Sequence, residues 1–296
     1  MTAADNRAGI WLMIGAVASL TVQDGLSRHL AGEYTVWQTI MIRYWFFAAF
    51  VLLLAWRQPQ GLRAAVATRL PGLHLARAVL HISEICLIVA SFTLIGLINT
   101  HAIFAICPLI VAALSGPLLG ERVGLARWLA IGAGFGGILI ILRPGGDLFT
   151  PLAVLALASA ALFALYSVLT RLATRQEASF PAFFWSGILG AVMMTAVGIW
   201  FWEPMPLADW GLTVANGVFA ILSNWLVIRC YTRAEANVVQ PFAYLQLVFV
   251  MLMGVAVFGE PLEAATLIGA AIVVGAGLVT LVNVGGRRTS RQTHGA

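Results

Sequence analysis

Lysine is missing altogether, and all 17 basic residues of the chain are arginine. Charge of either sign is scarce too, at 10% of residues, where a soluble domain carries about 25%. That scarcity excludes a soluble domain, and it means that the net charge of +5 is not a nucleic-acid footprint. There is no phosphate-binding loop and no soluble ATPase domain, which excludes direct ATP drive within this chain. Cysteine is sparse. Cys86, Cys107 and Cys230 lie inside or at the end of apolar runs and suggest neither a disulfide framework nor a metal cluster. His81-x-x-Glu84 is not the His-Glu-x-x-His zinc pattern, and no serine sits in a nucleophile context. No cofactor, metal or catalytic residue is expected, and an intramembrane enzyme or a channel is a remote alternative.

What is abundant is apolar sequence, at 61% of residues. It falls into ten candidate helices: Ala8–Leu26, Val36–Trp56, Leu73–Ile95, Thr100–Leu119, Trp128–Leu142, Leu152–Thr170, Pro181–Trp202, Gly211–Cys230, Val238–Phe258 and Ala264–Val282. Each is near the ~20 residues that cross a ~30 Å hydrocarbon layer. The expected fold is an all-α polytopic membrane protein. The first run contains Gln23 and Asp24, has no small-residue cleavage site and reads as an uncleaved first helix.

The chain also repeats itself. At a fixed offset of 139 residues, Phe92 falls on Tyr231, Gly120-Glu121 on Gly259-Glu260, Gly136 on Gly275 and Gly146 on Gly285. We read this as two halves, 8–146 and 151–286, of five helices each. With an odd number of helices per half, the second half enters the membrane from the opposite face. Such inverted repeats characterise secondary transporters, with the substrate site near mid-membrane between them. Leu26-Ser27-Arg28 against Leu169-Thr170-Arg171 agrees with the inversion. With both termini cytoplasmic, 14 arginines fall inside, Arg28 and Arg143 fall outside, and Arg43 lies within a span.

Pro108…Gly120-Glu121 closing helix four, Tyr244…Gly254…Gly259-Glu260-Pro261 closing helix nine, Arg77 entering helix three and Arg43 in helix two resemble the EamA-type drug/metabolite transporters over essentially the whole chain. The resemblance implies a ten-helix secondary carrier of a small organic metabolite in the bacterial cytoplasmic (inner) membrane, working by alternating access and coupled to protons or to exchange. Gln240-Pro241-Phe242-Ala243-Tyr244-Leu245-Gln246-Leu247 is similar to a helix-nine variant of members linked to riboflavin or S-adenosylmethionine uptake. Other members export amino acids or drugs.

A charge at the centre of a spanning helix costs roughly 2.5–3.5 kcal/mol on insertion scales, so those that persist face a cavity or each other. Arg77, His81 and Glu84 share one face of helix three, and Glu84 lies roughly 17 Å along it, near the midplane. Glu84 is either a protonatable coupling or substrate-binding carboxylate tuned by His81, or a structural partner of Arg43. Arg77 reads as a membrane-edge anchor snorkelling to the cytoplasm. Asp24 and Arg43 lie at similar depth and are expected to pair, as a gate or as packing glue. His101 is placed to approach both, or to be satisfied locally.

In the second half, Asn224, Trp225, Gln240 and Tyr244 are candidate cavity-lining residues that suit a flat polar or aromatic ligand, with Tyr166 and Ser167 behind them. Gln240 and Tyr244 share a face from which Gln246 is turned away. Gly132, Gly134, Gly136 and Gly137, with Gly269, Gly275 and Gly277, provide close helix packing within the monomer or the seam of a homodimer. Glu121 and Glu260 are assigned to repeat architecture, each at a solvated helix end. Pro108, Pro117 and Pro241 are expected to kink helices four and nine or cap their ends.

Overall fold

In the computed structural model the described residues are 3–57, 61–120, 124–143, 151–177, 179–234 and 236–292. They are helical, with no strand among them. The helices are α1 (Ala3–Glu33), α2 (Val36–Arg57), α3 (Gly61–Val66), α4 (Pro71–Leu94), α5 (Leu97–Phe104), α6 (Cys107–Leu119), α7 (Leu125–Leu142), α8 (Ala153–Gln176), α9 (Ser179–Gly198), α10 (Leu207–Arg233), α11 (Ala236–Ala243), α12 (Leu245–Phe258) and α13 (Ala264–Gln292). Among the described residues, eight helical stretches are long and apolar enough to cross a membrane, and Trp128–Leu142 and Ala264–Val279 are shorter apolar helices.

Two of the ten expected helices are not continuous. The fourth breaks after Phe104 into α5 and α6, and the ninth breaks at Tyr244 into α11 and α12. At both points the ladder tightens to three-residue bonds: Ile106 N–H donates to Ile103 at 3.2 Å, and Leu247 N–H donates to Tyr244 at 3.1 Å. Proline is the cause each time, because it lacks the N–H and its ring crowds the preceding turn. Pro108 sits in the first turn of α6, just after its break, whereas Pro241 sits inside α11, just before its own.

Each broken segment ends in the same way. Gly120 (φ +69°) and Gly259 (φ +63°) cap α6 and α12 in the left-handed region, a conformation that costs a side chain and suits glycine at the position after a helix. Glu121 lies outside the described residues. Glu260 is not a solvated end group: its side chain is 9% exposed. Its carboxylate accepts the N–H groups of Leu97 (2.7 Å) and Ile98 (2.8 Å) at the start of α5, and it pairs with Arg28 of α1. Gly96 (φ +87°) makes that approach possible, since a Cβ there would lie 3.0 Å from the carboxylate.

The most extensive helix pairings are α1 with α10, α7 with α13, α4 with α8 and α2 with α9. All four run antiparallel. Gly9 faces Ala234 while Ser27 meets Asn216; Gly187 faces Val51 while Gly198 faces Met41; Gly137 faces Gly269 while Gly134 nears Ala276; and Arg77 reaches Thr170 while His81 reaches Phe163. Glycine permits the direct approach of the α7 and α13 backbones at Gly137 and Gly269. Gly132, Gly136 and Gly275 instead face open space.

Candidate functional site

Two cavities flank α8. The smaller, about 140 Å³, is bounded by α2, α4, α8, α9 and α10. Its polar lining comes from Arg43, Tyr44, His81, Tyr166, Ser186 and Asn224. The larger, about 280 Å³, is bounded by α5, α6, α8 and the α11–α12 break, and its lining includes His101, Cys107, Tyr244 and Gln246. Residues from both helix breaks face it: Ala105, Cys107 and Pro108 from one, Ala243 and Tyr244 from the other.

Phe163 and Tyr166 of α8 stand between the two spaces, with ring centroids 5.9 Å apart. Phe163 lines the larger cavity and Tyr166 the smaller. His81 stacks on Tyr166 with centroids 4.5 Å apart and planes 10° from parallel. The small cavity also holds two buried polar atoms with no hydrogen-bond partner among the described residues, Tyr44 Oη and His81 Nδ1. A buried donor or acceptor left unmade costs about 1–3 kcal/mol; Tyr44 Oη carries that cost, whereas His81 Nδ1 faces the Glu84 carboxylate.

Glu84 is 4% exposed, and its Oε2 lies 3.4 Å from His81 Nδ1, inside ion-pair range and outside a proper hydrogen bond. Arg43 pairs with neither Glu84 nor Asp24. With the Gln23 amide turned so that its oxygen faces the guanidinium, Arg43 donates to it at 3.0 and 3.3 Å. Asp24 turns the other way, to His101, at 3.1 Å. The expected Asp24–Arg43 pair is thus replaced by two pairs on different faces of α1, because Gln23 and Asp24 are sequence neighbours and point about 100° apart on a helix.

Other expectations need correction. Arg77 is no snorkelling anchor: it is 1% exposed. It donates to Thr170 Oγ1 at 2.9 Å, to the Ala182 carbonyl at 3.2 Å and to His74 Nδ1 at 3.0 Å, and His74 Nε2 lies 3.2 Å from Glu177. Trp225 is 45% exposed; its ring lies under the Arg229 guanidinium at 5.2 Å and lines neither cavity. The Gln240 side chain lies outside the described residues. Asn224 does face the small cavity, and Tyr244 faces the large one, where a Cβ at Gly277 would overlap its hydroxyl. Gln246 is turned inward, not away, because the break at Tyr244 resets the helical phase.

Eight apolar spanning stretches around two internal, partly polar cavities define a polytopic membrane transporter. The chain belongs to the EamA-like transporter family, which matches residues 7–143 and again 150–282. It is 26% identical over 270 residues to a riboflavin transporter of Vibrio cholerae, covering 90% of each chain. It is 29% identical over 276 residues to a riboflavin transporter of Brucella anthropi, covering 89% of this chain and 95% of that one. An S-adenosylmethionine uptake transporter of Rickettsia bellii is 24% identical over 268 residues, covering 90% of this chain and 91% of that one. A solved crystal structure shares the fold at a TM-score of 0.59 and 20% identity, covering 91% of this chain and 94% of that one. The chain is therefore a small-metabolite transporter.

Proposed function

We propose that this protein imports a flat, uncharged heteroaromatic metabolite of the riboflavin type across the bacterial inner membrane, as a secondary carrier and not an enzyme. The observation that carries this reading is the His81–Tyr166 stack at the polar-lined small cavity. Parallel rings at stacking distance fit a planar ring system, and the polar lining fits its polar edge. Arg43 and Asn224 supply further donors, and Glu84 holds His81 in place. The riboflavin transporters of Vibrio and Brucella support the same substrate class.

S-adenosylmethionine, taken up by the Rickettsia relative, fits less well. It is a sulfonium cation, and the small cavity is lined by Arg43 with no carboxylate among its lining residues.

The carrier architecture in this reading is ten membrane helices in two inverted five-helix repeats with both termini cytoplasmic. Three features support it. The family matches twice in succession. The pairings α1–α10 and α8–α4 exchange under a swap of halves, while α2–α9 and α7–α13 map onto themselves and run antiparallel. The two helix breaks stand 139 residues apart, Ala105 against Tyr244. Discontinuous helices at a midplane cavity are the construction by which such carriers bind substrate.

The test is growth of a riboflavin-auxotrophic bacterium on limiting riboflavin, with the protein's membrane expression confirmed. Growth is expected with the wild type and not with an empty vector. Failure to grow at confirmed expression rejects riboflavin import.

A further inference from the structure

Asp24 of α1, His101 of α5 and Gln246 of α12 meet at the wall of the larger cavity. His101 Nδ1 lies 3.1 Å from the Leu97 carbonyl, and its Nε2 lies 3.1 Å from Asp24 Oδ2. A carbonyl only accepts, so Nδ1 must carry the hydrogen of that bond. Nε2 of such a ring is a lone pair, and an ionised carboxylate offers only lone pairs. The contact therefore needs one more proton, held on the nitrogen or on the oxygen. Gln246 Nε2 lies 3.3 Å from Asp24 Oδ2 and 3.5 Å from His101 Nε2, so its amide donates to the carboxylate and is placed to serve the ring nitrogen once that proton has gone.

We infer that Asp24 and His101 together form a proton-binding site, and that the proton they take up and release couples this carrier to the proton gradient. Coupling rests on the carrier reading above; proton binding by the pair does not.

The setting makes the proton count matter. Asp24 is 8% exposed and His101 7%, and Phe92 stacks on the imidazole with centroids 5.1 Å apart. With the shared proton the pair is neutral overall. Without it, a net negative charge and two opposed lone pairs remain in a buried position, which is costly in a low-dielectric interior. Moving α5 or α12 away from α1 relieves that repulsion. His101 sits on the half-helix that ends at the first break, and Gln246 follows the second break by two residues. Both line the larger cavity, which Phe163 and Tyr166 separate from the small one, so the proton on the pair acts on the half-helices that wall the space next to the substrate.

The charged and titratable groups nearby are already engaged or set back. Arg28, one turn along α1, pairs with Glu260 beyond α12. Arg43 of α2 reaches α1 through Gln23, and Glu84 of α4 is directed to His81. Cys107 and Tyr244 share the cavity. Contacts from α10, α13 and α8 to α1 and α5 include Asn216 to Ser27, Thr266 to Asn99, and Phe163 against Phe104. Among the described residues, no charge outside the pair lies within salt-bridge distance of Asp24 or His101.

The first measurement needs no substrate. The protein, labelled with 15N-histidine and held in nanodiscs, has five histidines in its 296 residues, and the His101 signal is the one lost in His101→Gln. Its 15N shifts are expected to depend on pH, and Asp24→Asn, which removes the carboxylate that shares the proton, is expected to change that dependence. An unchanged pH profile overturns the proposal. If Asp24→Asn does not fold, Gln246→Leu, which removes the donor to the deprotonated pair, is expected to change the same profile, and no change overturns it.

The second measurement uses proteoliposomes supplied with riboflavin. Asp24→Asn and His101→Gln are expected to lose at least tenfold of the accumulation driven by an imposed pH gradient while keeping riboflavin counterflow. Wild-type accumulation that ignores the gradient refutes the coupling. If the wild type carries no riboflavin, the substrate reading falls, and the His101 pH profile still decides the proton site.

Discussion

Tyr166 and His81 lie parallel, 4.5 Å between centroids, from two helices that belong to different halves of the chain. Their stack closes the small cavity on the side facing Phe163, so a planar ligand reaching that space must displace or extend it. Stacking on an aromatic side chain is worth about 1–3 kcal/mol per ring. Tyr166→Ala should therefore raise the KM for riboflavin uptake on the order of 10- to 100-fold, whereas Tyr166→Phe, which keeps the ring, should stay near the wild type. Uptake kinetics in the riboflavin-auxotrophic host check both, and an unchanged KM in the alanine variant removes the stack from substrate binding.

Glu84 acts at one remove. Its carboxylate lies 3.4 Å from His81 Nδ1 and lines neither cavity, so it positions the ring and does not meet the ligand. Glu84→Gln keeps the shape and loses the charge. The expectation is a KM raised about tenfold, with maximal rate and membrane abundance held, and with the response to an imposed pH gradient intact because that response belongs to Asp24 and His101. Loss of the pH response in Glu84→Gln would assign the proton to the wrong pair here.

Much of this was legible from spacing alone. The duplicated Gly-Glu closure reappears as two left-handed glycine caps, Gly120 and Gly259, and the face carrying Arg77, His81 and Glu84 is indeed one face of α4. What sequence hid was phase and partner choice. Reading residues 238–258 as one helix turns Gln246 away from Tyr244. Pro241 breaks the ladder there, the phase resets, and both residues line one cavity. Asp24 and Arg43 have matching depth and opposite charge, yet depth does not say which side of α1 each neighbour occupies, and Gln23 takes the arginine. Arg77 reads as an edge anchor in sequence because its partners Thr170 and Ala182, and the Glu177 that holds its helix neighbour His74, come from segments about a hundred residues away.

Glu260 should prove to be a stability residue. It satisfies the first two N–H groups of α5 and the Arg28 guanidinium, and Arg28 also lies 4.0 Å over the Phe258 ring. Glu260→Ala strands all three donors in a largely buried place, at about 1–3 kcal/mol for an unsatisfied group. Glu260→Gln keeps an acceptor for the amides and loses only the charge. Thermal unfolding in detergent should rank the variants as wild type, then glutamine, then alanine. Equal melting of the alanine variant and the wild type contradicts the assignment.

Glu177 makes a prediction about acid. It follows the end of α8, outside the spanning stretch, and ties that end to the segment before α4. Burial pushes its carboxyl up, but the Arg69 amide, the Thr68 hydroxyl and the His74 ring together outweigh that and hold it below the ordinary value of 4.5. A carboxyl depressed on folding contributes stability that is fully present above its unfolded value and is lost as pH falls through the folded one. Part of the protein's stability should therefore disappear as pH drops below about 4.5, the ordinary value. Glu177→Gln lacks this component. Its melting temperature should lie below the wild type at neutral pH, and the two should converge in acid. Melting curves of both proteins from pH 7 to 3 decide it: a constant gap across that range would mean that the Glu177 charge contributes nothing to the junction.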